Sequence, residues 1–483
     1  MGGKLFGRYQ KLSIQAKASI WYTICDFLNK GITFLIIPVY IRLLSTAEYG
    51  QWSVFQSWRD ILIIFASLNL YCGVFTKKLV DIPNDRDRYT SCMQGLNTAV
   101  TLGFVVVYLI GRGWIERTLE MDTVTMVLLL LYFVCFPAYQ FWLTRQRVEY
   151  SYRKIVFSTI VVTVLVPGIS LYLLTVHHLG ARAVIYGYLI AYDLNGIVFY
   201  ILHFIRGRTW FDREYWNYAA RFNLPLIPHY VSLIALGQAD RIMISKYCGD
   251  SDAGIYSFAY QIAMVVGVLI SAVNGSRVPW TYERLRDKQY GKIKPVASLL
   301  CAGLGIITVL VTLLSPTVIH ILGTAEYQQA TYVIPVVTMA TFLTFVYDLF
   351  CGIEFYYGST KYVMIASCVG AGLNILLNAV FIPRYGFIAA AYTTLVSYLV
   401  LMIMHWLFMR RVSREQGITG KVYREKELFL MTGLTLGACF LCMLTFRNDW
   451  LRWGVFAVLC IVAVAKRDLF ISAIARMKER KAE

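Results

Sequence analysis

Two cations stand near the middle of long apolar stretches of this 483-residue chain, Lys30 within residues 18–43 and Arg59 within residues 50–74. A charge at the centre of a bilayer costs about 2.5–3.5 kcal/mol on insertion scales, so such residues normally face protein or a water-filled cavity. Arginine suits a diphosphate, because its planar fork stays charged and makes bidentate, charge-assisted hydrogen bonds. The structural alternative is an Arg59–acid ion pair that locks the first apolar stretch to the second. Around Lys30, the residues Tyr22, Asp26, Asn29 and Thr33 recur at a spacing that puts all five on one helical face. Asp26 and Lys30 are four apart, so they either neutralise each other or form a cavity cation held by its neighbouring acid.

Other polar groups lie in later apolar stretches. Gln56, Asp60 and Ser67 accompany Arg59. Pro225 and Pro228 fall within one turn, in Arg221-Phe-Asn-Leu-Pro-Leu-Ile-Pro-His229. Two such prolines free backbone carbonyls and kink a helix, which makes them a candidate hinge. Asp240 and Arg241 form either a gate or a simple interfacial pair. Ser271 and Asn274 precede Arg277, which either snorkels to the surface or meets a headgroup. Thr341, Thr344 and Asp348 share a face, with Glu354 further along. Asp348 has no basic partner in its own stretch and is a candidate H⁺ or Na⁺ site. Asn374 and Asn378 share a face with Ser367 and suit interhelical hydrogen bonding. The candidate cavity residues are therefore Lys30, Arg59, Arg241, Arg277, Asn29, Asn274, Asn374 and Asn378, and the candidate coupling carboxylates are Asp26, Asp60 and Asp348.

No resident metal or cofactor is expected. None of the six histidines pairs with a Cys or an acid at a metal or nucleophile spacing. Cys439 and Cys442 form a C-x-x-C inside an apolar stretch, with no second pair at zinc spacing, and read as small apolar fillers. A phosphate-binding G-x-x-x-x-G-K-[ST] is missing from the sequence, so the chain is expected to have no ATPase of its own and no enzymatic activity.

Such residues need a bilayer-spanning frame, and the composition supplies one. Hydrophobic residues make up 58%, charged residues only 15%, and the mean hydropathy is +0.58, against about 45–50% apolar and 25% charged in soluble domains. Soluble enzymes and disordered chains are excluded on this ground. Fourteen apolar runs are visible, approximately 18–43, 50–74, 91–111, 122–143, 155–176, 183–205, 222–247, 253–276, 295–321, 331–356, 361–382, 387–409, 428–446 and 450–465. The first is too long for a cleavable signal and is expected to be the first span. With the N-terminus on the cytoplasmic side, 35 of the 46 Lys+Arg residues fall on that side, eight on the other and three within spans. This asymmetry places both termini in the cytoplasm. It also explains the net charge of +18 by topology and anionic lipid headgroups rather than by nucleic acid.

The chain also repeats itself. Gly50-Gln-Trp-Ser53 matches Gly254-Ile-Tyr-Ser257, and the segment from Gly180 to Tyr192 matches that from Gly386 to Tyr398, at offsets of 204 and 206. Six spans return the chain to its starting side, so the copies have parallel topology. The expected architecture is all-α and polytopic, with about 14 transmembrane helices. An N-lobe covers residues 1–206 (helices 1–6), a C-lobe 207–410 (helices 7–12), and helices 13–14 with a basic tail fill 411–483. Parallel repeats of this kind place a substrate site at the lobe interface and suggest alternating access.

Four segments carry a family likeness: Ile37-Pro-Val-Tyr-Ile-Arg42-Leu-Leu-Ser-Thr-Ala-Glu-Tyr-Gly50, Leu224-Pro-Leu-Ile-Pro-His229, Asp252-Ala-Gly-Ile-Tyr-Ser257 and Tyr385-Gly-Phe-Ile-Ala-Ala-Ala391. Through them the chain resembles the polysaccharide-repeat-unit (O-antigen) flippase branch of the multidrug/oligosaccharidyl-lipid/polysaccharide exporter superfamily, over residues ~10–410. The resemblance implies two six-helix lobes in a V around a cationic cavity, in a bacterial cytoplasmic (inner) membrane. It implies flipping of a polyprenyl-diphosphate-linked oligosaccharide from the inner to the outer leaflet, ion-coupled through H⁺ or Na⁺, alongside membrane lipids and polysaccharide polymerase machinery. Lys30 and Arg59 match the diphosphate-receiving basic positions, with Arg241 and Arg277 as further candidates. Two alternatives on the same fold are a multidrug/toxin antiporter, which an acidic cavity would suit better, and a lipid II-type flippase, whose last two helices hold the lipid tail.

Overall fold

A computed structural model describes residues 14–418, 420–465 and 468. Every described segment of regular structure is helical, and sixteen α-helices follow one another. They are α1 (Ile14–Leu43), α2 (Thr46–Ser67), α3 (Val74–Asp81), α4 (Arg86–Leu119), α5 (Thr123–Val148), α6 (Tyr152–Val176), α7 (Ala181–Gly207) and α8 (Arg213–Asn223). After these come α9 (Ile227–Cys248), α10 (Asp250–Arg286), α11 (Tyr290–Leu322), α12 (Val333–Tyr356), α13 (Thr360–Tyr385), α14 (Ile388–Glu415), α15 (Glu425–Leu444) and α16 (Asp449–Ala465).

Leaving out the short α3 and α8, fourteen long helices coincide one for one with the fourteen apolar runs. Ten of them are long and apolar enough to cross a membrane by length and composition alone. Of the other four, α16 has only 17 residues, and α1, α2 and α9 carry the polar residues singled out above. The protein is a multi-pass membrane protein.

Local chemistry sets the helix ends. Ser45 and Glu48 form a capping box at the start of α2, with the Ser45 amide donating to Glu48 Oε2 at 2.8 Å. Asp122 caps α5 by accepting from the Thr125 amide at 2.8 Å. Two boundaries depart from expectation. α2 stops at Ser67, with Leu68 in the left-handed region, and the rest of the expected span forms a turn and the short α3. Residues 112–119, expected as a loop, instead continue α4 past a kink at Gly111. There Arg112 and Glu116 pair four residues apart at 3.0 Å, which supports the extra helix beyond the apolar run.

The chain divides into two compact units within α9, between Val231 and Ser232. In the first unit α7 is the central packing element, lying against α4, α5 and α6, while α1 packs on α6. Gly196 of α7 sits so close to the Cys135 backbone of α5 that a Cβ would collide with it. An amphipathic α8 closes one end of this unit. Trp216 Nε1 donates to the Cys92 carbonyl at 3.0 Å, Tyr215 donates to Asp85, and Lys78 lies over the rings of Tyr215 and Tyr218.

In the second unit α14 packs against α12 and α13, and α10 and α11 pack against α12. The most apolar part of Ala325–Tyr356, the segment that ends in α12, is 83% buried, against 17% for α6, so α12 is an interior helix while α6 presents its apolar side chains outward. α15 and α16 belong to this unit and pack on α11. Ser298 donates to Glu427 at 3.1 Å, and Arg452 donates to Thr317 at 3.2 Å.

The internal repeat is visible in these elements. Gly50 and Gly254 each lie four residues past the first residue of α2 and α10. Gly180 and Gly386, which open the second sequence match, both have positive φ, +55° and +73°, just before α7 and α14. Glycine reaches that region without the Cβ penalty, which accounts for its occurrence at both positions.

Candidate functional site

In the first unit the polar centre is Arg59, which is 7% exposed. Its Nε and Nη2 donate to Asp60 Oδ1 at 3.0 and 2.7 Å. The acid is therefore the next residue of α2, and the pair does not tie α1 to α2. What holds Arg59 across helices is aromatic. Its guanidinium lies over the Tyr188 ring of α7, 4.4 Å from the centroid, a favourable geometry for a cation on a π face. Tyr188 in turn contacts Trp52, Tyr132 and Tyr192, and the Tyr132 and Tyr188 hydroxyls are 3.3 Å apart. Arg59 Nη1 has no hydrogen-bond partner among the described residues. A buried guanidinium N–H is costly to leave unmade, so this atom is a donor available to an anion.

Lys30 and Asn29 are exposed on α1, and no ion pair of Lys30 occurs among the described residues. Asn29 Oδ1 accepts from Thr163 of α6 at 3.1 Å. The Asp26 side chain lies outside the described residues, and with it the Asp26–Lys30 pair.

The second unit holds three separate polar clusters. The first gathers on Asp240, which is fully buried. Its Oδ2 accepts from Tyr256 at 2.6 Å and Thr394 at 2.8 Å, and its Oδ1 accepts from Asn378 at 2.6 Å. Asn374 donates to Thr394 at 3.1 Å, and Thr393 donates to Asn378. Asn374 and Asn378 thus fasten α13 to α9 and α14. Arg241 is not Asp240's partner. It donates to the Gly237 carbonyl at 2.6 Å and Gln238 Oε1 at 2.8 Å, and it lies over Tyr260 at 4.3 Å.

The second cluster brings together residues of α10 and α12. Arg277 Nε donates to Asn274 Oδ1 at 2.9 Å, and Asn274 Nδ2 donates to Asp348 Oδ2 at 2.9 Å. Arg277 is 2% exposed, too buried for a snorkelling anchor.

The third cluster was not expected from sequence. His405 Nδ1 lies 2.9 and 3.1 Å from the two oxygens of Glu354, and Cys351 stands beside them. Sequence spacing did not reveal it, because no histidine stands at a metal or nucleophile spacing from an acid or a cysteine. The partners are 51 residues apart, and only the packing of α12 on α14 joins them. A second omission is Asp193 of α7, 3% exposed, with both carboxyl oxygens unpartnered among the described residues. Its signal was legible, since it is the lone acid of run 183–205.

Pro225 and Pro228 lie at the junction of α8 and α9. Pro225 lies in a 3-10 turn, Leu224–Leu226, and Pro228 is the second residue of α9. Proline is tolerated in a first turn, where its missing N–H has no intrahelical partner to lose. Asn223, Leu224 and Ile227 all keep right-handed helical backbone angles, so the 3-10 turn at the two prolines joins α8 to α9.

Comparisons with known proteins follow the same lines. The profile of a family described as polysaccharide biosynthesis protein matches residues 16–283, and the MatE profile matches residues 225–380. A Haemophilus influenzae protein described as Lsg locus putative protein 1 is 26% identical over 373 residues, covering 73% of this chain and 87% of that one. An uncharacterised membrane protein of the same organism is 25% identical over 388 residues, covering 76% and 92%. Among solved structures, the fold is similar to that of the lipid II flippase MurJ in an inward closed conformation. The TM-score is 0.67 and the identity 14%, over 93% of this chain and 100% of that one. It is also similar to an inward-facing multidrug resistance MATE transporter, with TM-score 0.63 and identity 12%, over 81% and 96%.

Proposed function

The chain belongs to the polysaccharide biosynthesis protein family, within the polysaccharide flippase branch of the multidrug/oligosaccharidyl-lipid/polysaccharide superfamily, and on that premise we propose that it flips a polyprenyl-diphosphate-linked oligosaccharide. The movement runs from the cytoplasmic to the outer leaflet of a bacterial inner membrane, with both termini in the cytoplasm. The diphosphate is received by Arg59, with Lys30 as the exposed cation that meets it first. The polyprenyl chain stays in lipid, so only the head group crosses.

The observation that carries this reading is the unpartnered Arg59 Nη1. Asp60 occupies one edge of the guanidinium and Tyr188 one face, which leaves a fixed N–H for a phosphate oxygen. A fork held in place loses little freedom on binding. The tyrosines around it supply hydroxyls and ring faces, which suit sugar as well as phosphate.

Transport is coupled to H⁺ or Na⁺ through carboxylates, with Asp26, Asp60 and Asp348 as candidates. Asp348 is supported by its single bridge to Asn274, which leaves its other oxygen free to take a cation. Arg241, Arg277, Asn274, Asn374 and Asn378 make internal bonds in this conformation, and their role is to shape the second unit as it cycles.

A second reading, a multidrug antiporter, is favoured by the buried carboxylates Asp240 and Glu354 and the half-buried Asp348 within the residues matched by the MatE profile. The deciding experiment reconstitutes the protein in liposomes with a polyprenyl-diphosphate glycan and measures how fast the sugar becomes accessible on the far side. Wild-type flux with loss in Arg59→Ala is expected. No flux of the glycan lipid, together with proton-driven efflux of organic cations, would replace the flippase reading with the antiporter.

A further inference from the structure

The cluster of Cys351, Glu354 and His405 takes no part in the flippase reading. Its three ligand atoms, one sulfur, one carboxylate oxygen and one imidazole nitrogen, all lie within 4.8 Å of one another. The three residues are 5%, 0% and 2% exposed. Cys351 and Glu354 sit three apart on α12 and so share a face, while His405 comes from α14 opposite. The Tyr347 ring stacks on His405 at 5.4 Å and fixes its plane. Nearby, Tyr423 donates to the Leu349 carbonyl at 2.9 Å and is itself buried, so the segment before α15 is folded against this end of α12.

We infer that Cys351, Glu354 and His405 form a three-ligand site for a divalent transition metal of the zinc class. The first argument is ligand chemistry. Thiolate, imidazole and carboxylate are the set that zinc takes, with tetrahedral geometry and bonds of about 2.0–2.3 Å. The atoms here need to draw together only modestly to reach the spacing of a tetrahedral edge. The second argument is charge. A thiolate, a carboxylate and a neutral imidazole around a dication sum to zero, the cheapest outcome in a dry interior. The metal takes lone pairs on the Cys351 sulfur, a Glu354 oxygen and a His405 ring nitrogen, so any proton held on those lone pairs leaves as it binds. Placed there, the metal links α12 to α14, the two helices at the middle of the second unit. The inference does not depend on which molecule the protein transports.

The test uses the full-length protein in detergent, stripped with a chelator and reloaded with one equivalent of Zn²⁺ or Co²⁺. X-ray absorption of the wild-type zinc form is expected to show one sulfur at about 2.3 Å and nitrogen or oxygen at about 2.0–2.2 Å. A shell of nitrogen and oxygen only would overturn the assignment, and this readout needs no variant to fold. The cobalt form is expected to show a thiolate charge-transfer band, lost in Cys351→Ser and kept in Cys368→Ser, whose cysteine is exposed. A band that survives Cys351→Ser, or no metal retained by the wild type, would equally overturn it. Glu354→Gln and His405→Gln should each weaken Zn²⁺ binding by about tenfold or more.

Discussion

Asn274 and Asp348 are joined by one hydrogen bond of 2.9 Å, and through the same Asn274 side chain the buried Arg277 is tied to α12. The amide accepts from the cation and donates to the carboxylate, so it satisfies both charges without letting them touch. Asn274→Leu keeps the volume but removes both bonds. Leaving buried polar groups unsatisfied costs about 1–3 kcal/mol, more where they are charged. A lowered thermal midpoint of the detergent-solubilised protein is expected, with Asn274→Gln partly restoring it. A midpoint equal to wild type for the leucine variant would mean that Arg277 and Asp348 find other partners.

Arg59→Ala is expected to abolish glycan-lipid flux while leaving the protein correctly inserted. Arg59→Lys keeps the charge but loses the fork, so it should retain only a fraction of the flux. Tyr188→Leu tests the support beneath the guanidinium, and should cost less than losing Arg59 itself, since an exposed-to-desolvated cation–π contact contributes about 0.5–2 kcal/mol. Liposome flux at matched protein density is the readout. Wild-type flux in Arg59→Ala would remove the residue from the transport path.

Asp348→Asn, Asp60→Asn and Asp26→Asn each replace an ionisable group by a neutral amide that mimics the protonated acid. A carboxylate that couples transport binds a proton or Na⁺ in one part of the cycle and releases it in another, so its amide variant is insensitive to the driving ion. Flux against internal and external pH, with and without a Na⁺ gradient, is the measurement. The coupling residue is the one whose variant has a flat profile, and unchanged profiles in all three would dismiss the whole set.

Asn378→Ala removes the donor to Asp240 Oδ1 and an acceptor for Thr393. Tyr256 and Thr394 still bond the other carboxylate oxygen, so a loss of about 1–3 kcal/mol is expected rather than unfolding. The double variant Asn378→Ala with Asp240→Asn should lose less than the two singles added together, because the groups share one network. Strict additivity would mean that the two residues act independently.

Gly196→Leu is expected to be strongly damaging to the first unit, because the added side chain meets the Cys135 backbone directly. Overpacking of this kind costs about 1–3 kcal/mol or more. Expression and thermal midpoint are the readouts, and a stable Gly196→Leu protein would show that α5 and α7 can separate.

Helix number and order were legible because each span needs its own run of apolar residues, and that demand is local. Boundaries were less so where a helix outlasts its apolar run. α4 continues through Arg112 and Glu116 because their ion pair and helical propensity suffice outside the apolar stretch. The lone intramembrane charges stood out in the sequence, but their partners did not. Arg59 finds its acid one residue away and its ring on α7, while Glu354 finds His405 on α14. Such pairings are set by which helices pack together, and hydropathy carries no record of that.

The segment between α7 and α9 has the length of a linker, yet α8 grips the first unit by a tryptophan, a tyrosine and a lysine held between rings. A chain severed just before Asp212 would leave the downstream fragment with its own docking helix. The two halves of this protein, produced as separate polypeptides, would thus have a built-in means of finding each other. A gene split at that point is the natural starting place for fragment complementation.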